Sequence, residues 1–370
     1  MLIGVPKEIK PDEYRVGMTP ANVREAIHHG HGVIVEQGLG HDIGLNDDDY
    51  RRAGATVVAT AADVFARAEM IVKVKEPLAP ELPMLRPSQV LFTYLHLAPV
   101  PELTRALMKS GCIAIAYETV TDTFGGLPLL APMSEVAGRM AIQAGAHALE
   151  IEQGGRGLLL GGVPGTPPAK VVVLGGGVVG ANAVRVALGM GADVTVFDKS
   201  LRRLAELDLA FGPALTTLFS TVDAVHEYCL QADLVIGAAL VPGAEAPKLL
   251  GQDEVRRMKR GSVLVDVSID QGGCFATSHP TTHSNPTFVV HGVVHYCVAN
   301  MPGAVARTST YALNNATLPF ILALADRGPH AALRDDEHLR NGLNVIGGKV
   351  TCRAVAEASG EMYTKPKDVV

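Results

Sequence analysis

Short apolar runs rich in β-branched residues alternate along the whole chain with stretches of helical periodicity. This alternation is typical of βα units that build parallel sheets. Strands are predicted at residues 2–5, 33–36, 70–75, 90–96 and 112–118 in the first half, and at residues 171–174, 193–197, 234–237, 263–267 and 288–290 in the second. Helices are predicted at residues 20–29, 101–110 and 134–152, and helical patterning returns after residue 303. The pattern predicts an α/β protein.

One segment without regular periodicity, residues 154–169, contains six Gly and three Pro and is predicted to be a loop. With 370 residues the chain exceeds the usual size of one core, so two domains are expected. We place the crossing between them near Ser134, where the helix ahead of this loop begins. No sequence repeat links the halves, and only the βα alternation recurs.

Composition and charge exclude several classes of protein. Thirty-two Lys plus Arg against 38 Asp plus Glu give a net charge of -6, whereas nucleic-acid binding normally leaves a basic footprint. The first residues become charged too early for a secretory signal, and no apolar stretch reaches the roughly 20 residues of a membrane helix. The five cysteines are scattered without a C-x-x-C pair, which favours buried free thiols. A cytoplasmic protein is expected.

The stretch VVVLGGGVVG carries the strongest motif, because Gly175, Gly177 and Gly180 fit G-x-G-x-x-G between a strand and a helix. In this motif the glycines permit a tight turn, close approach of a pyrophosphate and close packing of the helix on the strand. Asp198 ends the next predicted strand, 23 positions after Gly175, near the spacing of a carboxylate that binds the ribose 2′-hydroxyl. The motif predicts NAD binding. A neighbouring basic run, which includes Arg203, softens the preference for NAD over NADP.

Other strand ends of this half should line the same crevice, because ligands bind beyond the carboxyl ends of parallel strands. Three loops meet this condition, at residues 238–243, 268–273 and 298–303. Each could be only a turn, but Asp270 and Asn300 are polar residues just beyond apolar strands.

The first half carries a candidate site for an anionic substrate. Lys75 ends the alternating run MIVKVK, which predicts a half-buried strand, and His96 ends the run VLFTYLH. If these strands are parallel neighbours, both side chains open onto one edge of a sheet, beside the loop that carries Arg15. Arg and Lys bind carboxylates, and a histidine exchanges a proton near neutral pH. With a nicotinamide cofactor, the residues predict an oxidoreductase for a small carboxylic acid, without distinguishing an amino acid from a hydroxy acid.

No metal site is expected. His28, His29 and His31 close a predicted helix and are interpreted as an exposed cap. His291 and His295 lie four positions apart in HGVVH, a context that favours an extended segment over a zinc-binding helix.

Separate blocks of sequence show a resemblance to a known family. The opening GVPKEIK with its following R-x-x-MTP, then KVKEP, YLHLAP, LAPMSEVAGRM, VIGAALVPGAEAPKL, VDVSIDQGGCF, YCVANMPGAV and TSTYALNNATLP all resemble blocks of NAD-dependent L-alanine dehydrogenases, in the same order. Membrane transhydrogenase nucleotide-binding subunits share the opening and the glycine region but are not expected to carry YLHLAP.

The resemblance implies roles for individual residues. Arg15 and Lys75 would bind substrate, and His96 and Asp270 would be catalytic. The positions that resemble cofactor contacts are Ser134, Gly175, Gly177, Val178, Gly180, Asp198, Arg203, Ser220, Ala239, Leu240, Val267, Ser268, Ile269, Asp270, Val298, Ala299, Asn300 and Met301.

The resemblance also implies an architecture and an activity. Two Rossmann-like domains would flank an interdomain active-site cleft, with residues 1–133 plus 304–370 binding substrate and residues 134–303 binding NAD. The activity would be reversible oxidative deamination of L-alanine to pyruvate and ammonia by a homo-oligomer, commonly a hexamer. Two alternatives stay open: another small amino- or imino-acid dehydrogenase, and a catalytically silent transhydrogenase-type subunit.

Two departures from the family pattern stand out. The loop reads GGGVVG where GAGxxG is expected, so Gly176 loosens it by about 0.5–1 kcal/mol. Ala323 and Arg327 occupy positions where some relatives have a Glu and a His that hold magnesium.

Overall fold

The computed structural model describes residues 1–239 and 246–370, which form two compact units. One unit comprises Met1–Met133 with Val305–Val370, and the other comprises Ser134–Ala304. Each unit has its own twisted α/β architecture around a largely parallel sheet. The predicted α/β class with two Rossmann-like units is therefore confirmed.

The strands in chain order are β1 (Leu2–Val5), β2 (Gly32–Glu36), β3 (Thr56–Val58), β4 (Met70–Val72), β5 (Val90–Thr93), β6 (Ile113–Ala116), β7 (Lys170–Leu174), β8 (Asp193–Asp198), β9 (Leu215–Phe219), β10 (Leu234–Gly237), β11 (Val263–Asp266), β12 (Thr287–Val290), β13 (Val293–Tyr296), β14 (Leu343–Ile346) and β15 (Lys349–Val350). The helices are α1 (Pro20–His28), α2 (Asp47–Arg52), α3 (Ala61–Arg67), α4 (Pro101–Ser110), α5 (Ala131–Ala148), α6 (Val178–Gly189), α7 (Leu201–Phe211), α8 (Val222–Gln231), α9 (Gln252–Arg257), α10 (Ala306–Arg327), α11 (Pro329–Asp335), α12 (Glu337–Arg340) and α13 (Arg353–Ser359).

The sheet of the first unit has the order β15-β14-β6-β5-β4-β1-β2-β3. Its strands from β6 to β3 are all parallel, and β14 and β15 extend it as antiparallel strands. Because β14 pairs with β6, the last part of the chain belongs to the sheet that its first part begins. The strand order reverses between β1 and β4, which is the point where open parallel sheets bind ligands.

The sheet of the second unit has the order β12-β13-β11-β10-β7-β8-β9. Its strands are parallel except for β12, which forms an antiparallel hairpin with β13. Here the order reverses between β7 and β10. If the antiparallel strands are left out and the remaining six strands of each sheet are renumbered along the chain, both sheets have the order 3-2-1-4-5-6 of a doubly wound fold.

Local sequence explains where the helices begin and end. The Thr19 hydroxyl accepts a hydrogen bond from the Asn22 amide at the start of α1, and Pro20 occupies the first turn, where no amide donor is needed. Helix α4 likewise opens on Pro101 and closes on Gly111, which has a φ of 70°. The predicted helix at residues 101–110 is therefore found with the same bounds.

Strand cores were located correctly but their ends were not. The predicted strands at 70–75 and 90–96 stop at Val72 and Thr93, because the following residues leave the sheet to form loops. The prediction of a half-buried strand before Lys75 was wrong: Met70, Ile71, Val72 and Lys73 are all fully buried, since helices cover both faces of the sheet.

Both units bury apolar cores. In the first unit, Ile71, Leu91 and Ala114 from adjacent strands pack with Leu107 of α4. In the second, the two sheet faces bury alternate residues of β7, with Val171 and Val173 on one face and Val172 and Leu174 on the other. The five cysteines are free thiols, and four of them are buried. Within the described ranges, no helix combines the length and hydropathy needed to cross a bilayer.

Candidate active site

The predicted substrate-binding and catalytic residues of the first unit follow its central strands. Arg15 lies in the loop after β1, Lys75 in the loop after β4 and His96 in the loop after β5. Strands β1 and β4 flank the reversal of strand order, and β5 is the parallel neighbour of β4. The fold therefore brings the loops carrying all three side chains to the carboxyl edge of one sheet, as the sequence predicted.

Arg15 is buried and held by a carboxylate. Its Nε donates to Glu13 Oε1 at 2.7 Å and its Nη2 to Glu13 Oε2 at 2.5 Å, while Nη1 contacts Met133 Sδ at 3.1 Å. Burial alone would raise the pKa of the Glu13 carboxyl, but the hydrogen bonds and charge of Arg15 hold that pKa below its ordinary value. This two-point contact orients the guanidinium plane. Glu13 was not among the residues predicted for the site.

Lys75 lies close to other cations. Burial lowers the pKa of its ammonium group, and the positive charges of Arg15 and Lys10 lower it further. Lys10 itself forms an ion pair with Glu76. The carboxylates of Glu13 and Glu76 act in the opposite direction, but the pKa stays below its ordinary value. A partly buried cationic group of this kind is suited to bind an anionic oxygen of a substrate.

His96 has an unusual backbone conformation, with a φ of 45°. The Glu118 carboxylate accepts hydrogen bonds from the His96 amide at 2.6 Å and the Leu95 amide at 3.2 Å. The imidazole is 47% exposed and stacks on the Tyr94 ring, with 5.8 Å between ring centroids. A positive φ in a residue other than glycine is costly and persists only where the surroundings enforce it. Glu118 and Tyr94 therefore present the imidazole outward in one orientation.

Tyr94 and Glu118 were missed by the sequence analysis. The Tyr94 hydroxyl donates to the Leu129 carbonyl at 2.5 Å, and burial raises its pKa despite the nearby charge of Arg15. Glu118 lies in a turn just after β6. Because β6 is the parallel neighbour of β5, the strand before His96, the position of Glu118 after β6 could have indicated that it lies near His96.

The glycine loop of the second unit has the geometry of a phosphate-binding turn. Gly175 has a φ of 105°, and a Cβ on Gly180 would overlap the Gly175 carbonyl oxygen, so only glycine lets α6 approach β7 this closely. A Cβ on Gly177, in contrast, would meet no atom within 4 Å. Gly177 caps α6 without a side-chain hydrogen bond, and Val178 begins the helix. The loop therefore offers open space and amide donors at a helix N-terminus, which suits a pyrophosphate.

Asp198 lies at the end of β8, as predicted, and accepts hydrogen bonds from the amides of Gly176 and Ser200, each at 2.7 Å. Arg203 Nε donates to the Gly176 carbonyl at 2.5 Å and pairs with Glu206 at 2.9 Å. The Ser220 amide donates to the Asp198 carbonyl at 3.0 Å. These contacts join the predicted ribose-binding carboxylate to the glycine loop.

The other predicted cofactor positions follow β10, β11 and β13 or open the second unit. Ser268 donates to the Ala239 carbonyl at 2.8 Å, which ties two of these loops together. Asp270 is exposed in a short 3-10 turn, and Asn300 has a φ of 64°. The remaining positions are Ser134, in α5, and Val267, Ile269, Val298, Ala299 and Met301, in the loops. Leu240 lies outside the described residues.

A buried carboxylate that the sequence analysis missed organises the loop carrying Asp270. Asp266, fully buried at the end of β11, accepts hydrogen bonds from the Ser278 hydroxyl at 2.6 Å and the Cys274 amide at 2.8 Å. Lys248 donates to the Gly272 and Gly273 carbonyls on the other side of the loop. Burial raises the pKa of Asp266, which is consistent with a structural role.

Several histidines outside the site contact other side chains. The interpretation as an exposed cap is confirmed for His28 and His29, which are exposed, with His29 as the C-cap of α1. The His31 side chain, in contrast, is only 8% exposed, and His29 and His31 both contact the Asp326 carboxylate, at 3.1 and 2.8 Å. His295 is buried, in β13, within the segment predicted to be extended. Within residues 1–239 and 246–370, no cluster of three His, Cys, Asp or Glu side chains has the geometry of a metal site.

Comparisons with known proteins agree with this geometry. Residues 4–137 match the family model described as alanine dehydrogenase/PNT, N-terminal domain, and residues 141–353 match its C-terminal domain. The chain is 60% identical to an alanine dehydrogenase of Halomonas elongata over 370 residues, which is the full length of both.

Solved structures show the same relationship. The fold superposes on a structure titled L-alanine dehydrogenase with a TM-score of 0.94 and 52% identity, covering 97% of this chain and 99% of the other. A transhydrogenase from Sinorhizobium meliloti matches with a TM-score of 0.83 and 26% identity, covering 96% of this chain and 100% of the other.

Proposed function

The chain belongs to the alanine dehydrogenase/PNT family, and from this premise we propose that Arg15, Lys75 and His96 perform the substrate chemistry of L-alanine oxidation. The family assignment covers the whole chain and establishes an NAD-dependent oxidoreductase of the alanine dehydrogenase type. The proposal concerns the products, pyruvate and ammonia, and the role of each side chain. The observation that carries it is the placement of three functional side chains at neighbouring strand ends of one sheet.

Substrate binding is assigned to the cationic pair. Arg15, oriented by Glu13, and Lys75 bind the carboxylate and the carbonyl region of the substrate. Because Glu13 compensates the charge of Arg15, Lys75 contributes the excess positive charge that attracts an anion. Lys75 also stabilises negative charge that develops on the substrate oxygen, an effect that is strongest where water is excluded.

NAD, when bound, would supply the hydride acceptor, and loss of the Cα hydride from alanine with a neutral amino group would leave an iminium ion. A water molecule then adds to the iminium carbon, and His96 takes the proton that this water loses. His96 returns this proton to the carbinolamine nitrogen and then accepts the hydroxyl proton as the C–N bond breaks, so that ammonia departs and pyruvate remains. The outward orientation of His96, fixed by Glu118 and Tyr94, suits this proton transfer.

The second unit supplies the cofactor side. The open space at Gly177 and the amide donors at the start of α6 fit the pyrophosphate, and Asp198 fits a ribose hydroxyl. Ser134 in α5 and the loops containing Ser220, Ala239, Val267–Asp270 and Val298–Met301 complete the proposed cofactor site, and Asp270 is its proposed catalytic residue. We further propose that the protein is a cytoplasmic homo-oligomer, a hexamer by family resemblance.

Steady-state turnover tests the assignment. We expect the wild-type protein to oxidise NADH with pyruvate and ammonium, and His96→Ala and Lys75→Ala each to lower kcat/KM by about 10²–10⁴-fold, since each removes a group that acts in the transition state. Fluorescence titration should show unchanged NADH affinity in both variants. His41→Ala, at a histidine that is 78% exposed in the same unit, is the matched control.

Three outcomes separate the alternatives. Binding of NADH without turnover would support the silent transhydrogenase-type subunit. Faster turnover with a larger oxo-acid than with pyruvate would support another amino-acid dehydrogenase. Turnover that survives both substitutions would leave the function in place and refute the catalytic assignment.

A further inference from the structure

Three charged side chains, those of Glu8, Lys73 and Glu81, are buried together next to the segment that carries Lys75. The side chains of Glu8, Lys73 and Glu81 are 3%, 0% and 2% exposed. Lys73 Nζ lies 3.1 Å from Glu8 Oε2 and 2.8 Å from Glu81 Oε1. Burial would lower the pKa of the Lys73 ammonium group, but the two carboxylates raise it, so this group stays charged. The mechanism above uses none of these charges.

Each carboxylate also binds backbone amides with its other oxygen. Glu8 Oε1 accepts hydrogen bonds from the amides of Val74 at 2.6 Å and Lys75 at 3.3 Å. Glu81 Oε2 accepts a hydrogen bond from the Leu78 amide at 2.8 Å. The two glutamates thus have the same arrangement, with one oxygen on Lys73 and one on the main chain, but only Glu8 binds Lys75.

The amides of Val74 and Lys75 need these contacts because β4 ends at Val72. A buried amide without a partner is costly, so a partner at this point determines the path of the chain. From the other side, the Thr93 hydroxyl donates to the Lys75 carbonyl at 2.9 Å. Glu8 and Thr93 therefore hold both backbone polar groups of the residue that carries the substrate-binding ammonium.

A role in stability alone does not account for the cluster. Buried ion pairs stabilise a fold little compared with apolar residues of the same volume, because desolvation offsets the attraction between the charges. Their directional hydrogen bonds do specify geometry. Lys73 in turn fixes the Glu8 carboxylate.

We propose that Glu8 is a positioning residue for Lys75: its buried carboxylate, anchored on Lys73, holds the amides of Val74 and Lys75 and thereby directs the Lys75 side chain to the substrate. This inference rests on the proposed role of Lys75 in substrate binding. It adds a residue that acts through Lys75 and does not itself touch the substrate.

Glu8→Gln and Glu81→Gln form a matched pair of variants. A glutamine amide has one acceptor oxygen and one donor group, so it cannot serve both Lys73 and a backbone amide as a carboxylate does. Both variants lose the same charge from the same cluster. Only Glu8→Gln disturbs the Lys75 amide.

We expect Glu8→Gln to raise the KM for pyruvate about tenfold, the size expected when a charge-assisted hydrogen bond is lost, with a much smaller fall in kcat and unchanged NADH affinity. Glu81→Gln should keep the KM for pyruvate within about twofold of wild type by the same reasoning. A purely structural role would lower the active fraction, and hence kcat, without changing KM. An unchanged KM in Glu8→Gln, or equal rises in both variants, would overturn the proposal.

Two further variants complete the test. If Glu8→Gln does not fold, Glu8→Asp replaces it in the test, because aspartate keeps the charge but has a shorter side chain. A raised KM for pyruvate with a normal melting temperature supports the proposal, and a wild-type KM overturns it.

Lys75→Ala distinguishes a failure of the role proposed for Lys75 from a failure of the role proposed for Glu8. If it leaves the KM for pyruvate unchanged, the proposed function of Lys75 fails, whereas a large effect of Lys75→Ala with none of Glu8→Gln refutes only the role of Glu8.

Discussion

Arg15 shows how a neighbouring side chain orients a residue that we propose binds substrate. Glu13 contacts two nitrogens on one edge of the guanidinium group, and both side chains are buried, so the plane of Arg15 is fixed before any substrate arrives. The Glu118 carboxylate likewise orients His96, because it accepts a hydrogen bond from the His96 backbone amide. The sequence identified Arg15 and His96, but the carboxylates that orient them became apparent only when the chain was folded.

Arg15→Lys should weaken substrate binding specifically. An ammonium group is a point charge and cannot both grip Glu13 at two atoms and present a planar edge to a carboxylate. We expect the KM for pyruvate to rise about tenfold or more, with NADH affinity unchanged. Arg51→Lys, at a surface ion pair with Asp48, is the control, and a KM for pyruvate within twofold of wild type in Arg15→Lys would contradict the role of Arg15.

Gly177→Ala tests the cofactor loop without disturbing the fold. The added Cβ meets no protein atom within 4 Å, so the melting temperature should stay at the wild-type value. The same methyl group would occupy space needed by the pyrophosphate, and we expect NADH affinity to fall about tenfold or more. Calorimetry and fluorescence titration measure the two effects. Wild-type affinity in this variant would show that the pyrophosphate does not bind here.

At the scale of elements, helix α6 shows which features of a motif a local pattern can establish. The G-x-G-x-x-G spacing predicted a strand, a turn and a helix, and β7 and α6 are found there. The close approach of α6 to β7, however, depends on Gly180, because a Cβ at this position would overlap the Gly175 carbonyl oxygen. A second glycine at the end of the same helix, Gly189, has no such neighbour.

Gly180→Ala and Gly189→Ala should therefore have opposite effects. At Gly180 the Cβ would overlap the Gly175 carbonyl, so we expect a loss of about 1–3 kcal/mol in the free energy of unfolding together with weaker NADH binding. At Gly189 alanine should be neutral or stabilise α6 by up to about 1 kcal/mol through its higher helix propensity. Urea denaturation of both variants checks this, and equal destabilisation would argue against close packing at Gly180.

The ends of elements were harder to predict than their centres. The alternation MIVKVK continues through Lys75 and the apolar run VLFTYLH continues through Leu95, so periodicity extended both strands too far. These residues are buried by contacts with other parts of the chain, as with Lys73 between its two glutamates. Short strands such as β3 and β15 were missed for the complementary reason, because their own sequence is too short to show a period.

At the scale of the whole molecule, the same strand order occurs in both units without a repeat in the sequence. The additions differ: the end of the chain supplies β14 and β15 to the first sheet, while β12 forms a local hairpin in the second. Parallel sheets need long crossovers, so each unit assembles from segments far apart in sequence.

Acid stability should depend on the buried His295. Its ring contacts the Val293 carbonyl at 3.0 Å and the Thr277 hydroxyl at 2.7 Å, and burial, with His279 and His291 nearby, lowers its pKa to about 4. Because the unfolded chain has the higher pKa, it binds a proton that the folded state excludes, and stability is lost as pH falls from about 6.5 toward 4. This single group should cost up to about 2 kcal/mol at pH 5 relative to pH 7.

His295→Gln separates this contribution from other titrating groups. The variant will be less stable at pH 7, but its free energy of unfolding should fall less than that of wild type between pH 7 and pH 5. Urea denaturation at both pH values measures the difference, with His41→Gln as an exposed control. An equal fall in wild type and His295→Gln would show that His295 does not titrate in this range.

The sequence by itself determined the α/β class and the nucleotide-binding motif, because these depend on local periodicity and on glycine spacing. It also predicted Arg15, Lys75, His96 and Asp198 as site residues, from their positions at or near strand ends. It also carried the family resemblance, since that lies in ordered blocks along the chain.

Only the tertiary structure decided which carboxylates orient these residues and which charges are buried. Glu8 lies 65 positions from Lys73, and Glu118 lies 22 positions from His96. A hydrogen bond between residues so far apart has no local period, so it appears only when parallel strands bring their ends to a common edge. For the same reason, the alternation that marked Lys75 as the end of a half-buried strand could not reveal the ion cluster packed beneath it.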